Sequence, residues 1–325
     1  MKELANSKEA KARWRVGRVG GGRLLPMLCV STAMILTSYG NAHADEGAVV
    51  ARTQFVEARG RTIAYRSVGS GQPIVLCNRF RGVLDTWDPA FIDALARHFR
   101  VITFDYSGLG RSTGKATFEQ HSLANDARDL AQALGLERVI IGGWSLGGAA
   151  AQTFALQFPE MTTHAVLIGT GPPGANRHPP EQLFYERALR PVNTFDDETV
   201  LFFEPRSAPS LAAAQRSHDR IAKRTVDLDV PIPPEVYLPL LKENTTGHVF
   251  PDRYGLRDKL KATRTPILVI SGDHDISFPV ENWYELSREL STVQHIVLSQ
   301  SGHAPQHQLP EAVAEYIAAF VRTAQ

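Results

Sequence analysis

A serine flanked by glycines two residues away on either side, Gly143-Trp144-Ser145-Leu146-Gly147, is set between the apolar, largely β-branched run Val139-Ile140-Ile141 and the small residues Gly148-Ala149-Ala150. A strand that turns abruptly into a helix at a serine lifts the hydroxyl clear of the sheet, where it can act as a nucleophile. Only small neighbours fit around such a turn, and the N-terminus of the following helix presents free amides to a carbonyl oxygen gaining negative charge. The chemistry suggested is acyl transfer through Ser145.

A neutral serine hydroxyl is a weak nucleophile near neutral pH, so it needs a base, and the base needs a carboxylate to orient it. On a strand-turn-helix scaffold these partners follow the serine in the order acid, then histidine. The buried strand pattern Pro266-Ile267-Leu268-Val269-Ile270-Ser271 runs into Gly272-Asp273-His274-Asp275, which offers Asp273 or Asp275 as the acid. After a helical stretch over Glu281 to Leu290, the strand His295-Ile296-Val297-Leu298 leads to Ser301-Gly302-His303-Ala304, which offers His303 as the base. One helix and one strand separate the two loops, so parallel neighbouring strands bring both to the sheet edge from which Ser145 emerges.

With GWSLGG, GDHD and SGHA in this order and spacing, the chain resembles the α/β-hydrolase superfamily over roughly residues 53 to 323. The resemblance assigns Ser145, Asp275 and His303 as the catalytic triad. It also matches Asp105-Tyr106-Ser107-Gly108-Leu109-Gly110-Arg111-Ser112 to the family's D-x-x-G-x-G-x-S loop, in which Asp105 is expected to fix the loop rather than take part in chemistry. By position, the backbone amides of Phe80 and Leu146 should form the oxyanion hole. There is one departure. The strand Pro73-Ile74-Val75-Leu76-Cys77 is followed by Asn78-Arg79-Phe80-Arg81-Gly82 where the family has a His-Gly pair. Arg79 then either faces the pocket and holds a substrate carboxylate or carbonyl, or packs and pairs elsewhere. Trp144, beside the nucleophile, either lines the acyl pocket or supports the turn. The reaction implied is two-step hydrolysis of an ester, thioester, lactone or amide, with no cofactor and no metal. A cofactor-free peroxidase or perhydrolase and a low-turnover ligand-binding protein are the alternatives on the same triad.

The elements required to position these residues are present. Thr53 to Glu57 and Thr62 to Ser67 flank Ala58-Arg59-Gly60-Arg61 as an opening hairpin, and strands near 73–77, 101–104, 138–142 and 164–169 alternate with helices near 86–98, 120–135 and 146–158. This predicts an α/β fold with a mostly parallel, doubly wound sheet and a helical cap inserted after strand 6. The core is expected over residues 45–172 and 256–325, and the cap over 173–255. The cap helices are expected near Pro180 to Leu189, Asp196 to Phe203, Ser207 to Arg224 and Glu235 to Glu243, with Phe184, Tyr185, Phe195, Phe202, Phe203 and Tyr237 available to line a pocket or to pack.

Seven lysines and arginines precede the apolar stretch Leu24 to Leu36, and Ala42-His43-Ala44 follows as a small-x-small cleavage site. Residues 1–44 therefore read as a signal peptide, which predicts a periplasmic or secreted protein with no stable membrane insertion after cleavage. Removing their seven basic and two acidic residues from totals of 35 and 34 leaves 28 against 32. That mildly acidic balance argues against nucleic acid as a partner and leaves a small-molecule acyl substrate. Cys77 is then the only cysteine, which excludes an intrachain disulfide. With 43% apolar residues the chain is rich enough to build one large core.

Overall fold

The computed structural model describes residues 47–244, 252 and 254–324, so the signal-peptide reading of residues 1–44 lies outside the described part. Eight strands form one sheet: β1 (Gln54–Ala58), β2 (Arg61–Val68), β3 (Pro73–Cys77), β4 (Arg100–Phe104), β5 (Val139–Trp144), β6 (Thr162–Ile168), β7 (Ile267–Gly272) and β8 (Val293–Leu298). Their order is β1-β2-β4-β3-β5-β6-β7-β8. β2 pairs antiparallel with both β1 and β4, and every other pairing is parallel. The sequence explains the difference between the two ends of the sheet. Ala58 pairs with Arg61 across a two-residue turn in which Arg59 and Gly60 both have positive φ, the geometry that lets a tight hairpin follow the strand twist. The parallel strands β5 and β7 are buried at every position, as strands covered on both faces must be.

Eleven α-helices complete the described chain: α1 (Pro89–Ala96), α2 (Gln120–Ala133), α3 (Leu146–Gln157), α4 (Gln182–Ala188), α5 (Phe195–Phe202), α6 (Ala208–Ile221), α7 (Pro234–Asn244), α8 (Leu256–Ala262), α9 (Glu281–Tyr284), α10 (Pro305–Gln308) and α11 (Pro310–Thr323). None of the described helices is long and apolar enough to cross a membrane. The core divides across the sheet. One layer gathers Val75, Ile102, Ile141 and Val269 with α2 and α3, and the other gathers Ile74, Val101, Ile140 and Leu268 with α1 and α11. One expectation is corrected here. The helix anticipated from Glu281 to Leu290 stops at Tyr284, after which Leu286, Ser287 and Glu289 each bond the carbonyl three residues back, a succession of tight turns.

Helices α4 to α7 fill the interval between β6 and α8, where strand alternation stops. α5 begins with a capping box, Thr194 and Asp197 exchanging hydrogen bonds, and Ser207 caps α6. This insert is fastened to the sheet domain by arginines. Arg220 of α6 holds the fully buried Asp88, the N-cap of α1, through Nε at 2.9 and 3.1 Å and Nη2 at 2.5 Å. Arg224 donates to the carbonyls of Ala48, Val49 and Ala51 and pairs with Asp85. In the opposite direction, Arg81 donates to the carbonyls of Ala188, Arg190 and Pro191 and to Asn193, and its guanidinium lies 4.3 Å from the centre of the Tyr237 ring.

A buried carboxylate stripped of its only guanidinium is costly, so Arg220→Met is expected to destabilise the fold by about 3 kcal/mol. Urea unfolding should show this as a lower midpoint at an unchanged m-value.

Candidate active site

Ser145 stands between β5 and α3 with φ 60° and ψ −120°, a left-handed backbone that a side chain seldom adopts. The glycines around it are closely packed. A Cβ at Gly143 would collide with the Gly147 carbonyl, one at Gly147 with the Cys77 and Asn78 carbonyls, and one at Gly148 with Thr170. The Ser145 amide bonds the Ile168 carbonyl at 2.9 Å, which ties the turn to β6. Although Ser145 precedes the first helical residue, its side chain makes no capping bond. The Leu146 amide is the first of α3, one of the group that helix geometry leaves without an intrahelical acceptor.

β7 and β8 deliver the other two residues to the same edge. His303 Nδ1 lies 2.8 Å from Asp275 Oδ2, and both residues are buried. The second Asp275 oxygen accepts from the amides of Ser277 and Phe278 at 2.7 and 2.9 Å, so the carboxylate is fixed from both sides. Asp273 faces away. Its carboxylate takes the His274 ring at 2.6 Å and the Ser301 amide, and these bonds hold it below the usual carboxylate range despite partial burial. The His303 imidazole is sandwiched between Phe202 and Phe278, with ring centres 6.3 and 5.6 Å away and planes within 30° of its own. The Trp144 indole N–H donates to the His303 carbonyl at 2.7 Å, linking the residue beside Ser145 to the histidine loop.

The strand-end turn accommodates Asn78-Arg79 in an unexpected way. Asn78 is buried and donates to the Phe104 carbonyl, and the Gly82 amide bonds back to the Arg79 carbonyl. Within this turn Arg81 has positive φ, at 58°. Arg79 turns inward: its guanidinium lies 4.7 Å from the Phe202 ring centre and 5.2 Å from that of Trp144, and Nη1 bonds the Phe80 carbonyl. It borders a cavity of about 190 Å³ lined also by Trp144, Phe202, Phe203, Ser217 and His307. Of the other aromatics considered, Phe195 reaches this cavity, whereas Phe184 and Tyr185 pack on each other and Tyr237 packs on Phe80. Asp105 acts in the loop as expected. It is buried and accepts from the Leu84 and Arg111 amides, and burial followed by repulsion from Asp229 raises its carboxyl far above the usual range.

The profile of the alpha/beta hydrolase fold matches residues 72–310, most of the chain. The chain belongs to this family. Among relatives, an uncharacterized protein of Mycobacterium bovis is 28% identical over 286 residues, covering 84% of this chain and 82% of its own. A pimeloyl-[acyl-carrier protein] methyl ester esterase of Vibrio campbellii is 25% identical, covering 74% of this chain and 91% of its own. Among solved structures, an alpha/beta hydrolase fold protein from Chitinophaga pinensis superposes with a TM-score of 0.75 at 26% identity, covering 86% of this chain and all of the other. As a hydrolase of this family, the chain carries its match from β3 to the start of α11.

Beside the site, sequence reasoning missed His307. It is buried, its Nε2 accepts from the Asp88 amide at 3.3 Å, and its Nδ1 lies 3.3 Å from Ser217 Oγ, so the proton sits on Nδ1. Burial lowers its pKa to about 4; Arg79 and Arg220 push the same way and Asp88 opposes them. An unfolded histidine titrates near 6.5, so between these values the unfolded chain binds the extra proton. Stability is therefore present in full above about pH 6.5 and declines as pH falls toward 4, by about 3 kcal/mol from this group. Denaturant titrations across that range should show the decline, and His307→Gln should flatten it.

Proposed function

We propose that the protein is a serine hydrolase that cleaves a carboxylic ester through Ser145, His303 and Asp275. The observation that carries this reading is the 2.8 Å bond from a buried His303 to a doubly anchored Asp275, on the sheet edge where Ser145 is held at positive φ. The esterase name of the Vibrio campbellii relative supports the same reaction class.

In this reading, His303 Nε2 takes the Ser145 proton as Oγ attacks the ester carbon, and the C=O electron pair moves to oxygen. The Phe80 and Leu146 amides hold that oxyanion. Collapse breaks the bond to the alkoxy oxygen, which leaves with the proton from His303, and an acyl-enzyme remains. Water, deprotonated by His303, then attacks the acyl carbon; the acid departs and the proton returns to Ser145. Asp275 holds the imidazole with its proton on Nδ1 and stabilises the charged form that appears twice in the cycle. Phe202 and Phe278 keep the ring from tilting and, with helices α4 to α7 acting as a cap, keep bulk water from the acyl-enzyme.

Mixing enzyme with 4-nitrophenyl esters of increasing acyl length should give a burst of nitrophenol equal to the enzyme concentration, absent from Ser145→Ala. Asp275→Asn should keep the fold and lower turnover roughly 1,000- to 10,000-fold, because the imidazole loses its orienting acceptor. Equal rates in wild type and Ser145→Ala would overturn the reading.

A further inference from the structure

Arg61, Arg66, Arg220 and Arg224 each pair with an aspartate, and Arg81, which has no carboxylate, is satisfied by four acceptors. Arg79 has neither: among the described residues no carboxylate lies within ion-pair distance of it. Its single protein acceptor there is the Phe80 carbonyl, and its Nε is enclosed without a partner. Two acids share the cavity wall: Asp85 is held by Arg66 and Arg224, and Glu198, 3.6 Å from the His218 ring, favours the charged guanidinium from a distance without forming an ion pair with it. The faces of Trp144 and Phe202 solvate the positive charge in part, but they accept no in-plane hydrogen bond. Desolvation pulls the guanidinium down to about 10, and it remains protonated at neutral pH. A guanidinium that borders a cavity, with donors left over after its one carbonyl bond, fits a carboxylate.

The cavity adjoins the candidate site through two of its wall residues. Its wall includes Trp144, the neighbour of Ser145, and Phe202, which stacks on His303. We propose that Arg79 is a specificity residue that holds a free carboxylate on the acyl group, so that the substrates are esters whose acyl chain bears a second, ionised carboxyl group. This rests on the ester-hydrolase reading. Arg79 positions and selects; it takes no part in bond breaking.

Two measurements on the full chain separate this inference from the reading beneath it. In the first, kcat/KM is compared for mono-4-nitrophenyl adipate and for 4-nitrophenyl hexanoate, which has the same number of acyl carbons and no charge. Wild type should favour the anionic ester by about 10- to 100-fold, the worth of a buried charge-assisted pair. Arg79→Met should lose that preference through KM while holding the neutral ester within about threefold, and Arg79→Lys, which keeps the charge without the fork, should retain part of it. No preference in wild type, or an equal loss on both esters in Arg79→Met with Arg79→Lys no better, overturns the inference and leaves the hydrolase reading standing. In the second, monomethyl and dimethyl adipate are titrated calorimetrically into Ser145→Ala and into Ser145→Ala with Arg79→Met. Binding of the monoanion alone, abolished by the second substitution, upholds the anion site even if wild type turns over no ester; equal binding of the two esters, or binding of neither, overturns it.

Discussion

The first turn of helix α3 lies so close to the end of strand β3 that a methyl group at Gly147 would overlap the carbonyl oxygens of Cys77 and Asn78. That approach has two effects. It forces the chain between β5 and α3 through the narrow turn that leaves Ser145 at φ 60°, a conformation costing of order 1–3 kcal/mol and retained only where the surroundings over-determine it. It also presses the end of β3, and the turn that follows it, against the first turn of α3. The sheet supplies the restoring force, since β5 is buried throughout and pairs with β3 and β6.

Around this contact, polar groups remote in sequence are satisfied one by one. Asp105 and Asp229 both accept from the Leu84 amide, at 3.0 and 2.9 Å, so the loop after β4 and the connection between α6 and α7 of the insert meet at one backbone group. Asp88 caps α1 through the Ala90 amide while it accepts from Arg220, 132 residues away. Each such group would be expensive to leave unpaired in the interior, and their joint satisfaction fixes where the insert rests on the sheet domain.

The parts legible in the sequence were those encoded locally. The alternation of β-branched runs with helical stretches, the glycines around Ser145 and the loops after β7 and β8 all depend on neighbours within a few residues, and the strands fall where these patterns place them. The residues alone offered Asp273 or Asp275, and the family resemblance favoured Asp275; the structure puts Asp275 against His303 and Asp273 against His274 and the Ser301 amide, contacts that lie across the β7 and β8 loops and so leave no local pattern. The inward turn of Arg79 was ambiguous for the same reason: its environment is built from Trp144 and from Phe202, and Phe202 lies more than a hundred residues away. His307 carried no signal at all. Its role comes from the Asp88 amide and Ser217, neither of which is near it in sequence. The overextended helix after Glu281 shows the opposite error, in which good helix-forming residues are overridden by tertiary context that closes them into tight turns.

Arg81 connects two of these regions. It occupies the positive-φ position of the strand-end turn, next to Phe80, and its guanidinium grips three carbonyls and one side chain of the segment that runs from the last residue of α4 to α5. That segment cannot swing outward without releasing all four acceptors and uncovering the Tyr237 ring. The insert and the turn after β3 are therefore mechanically joined through one side chain: a shift of either one pulls on the other through Arg81.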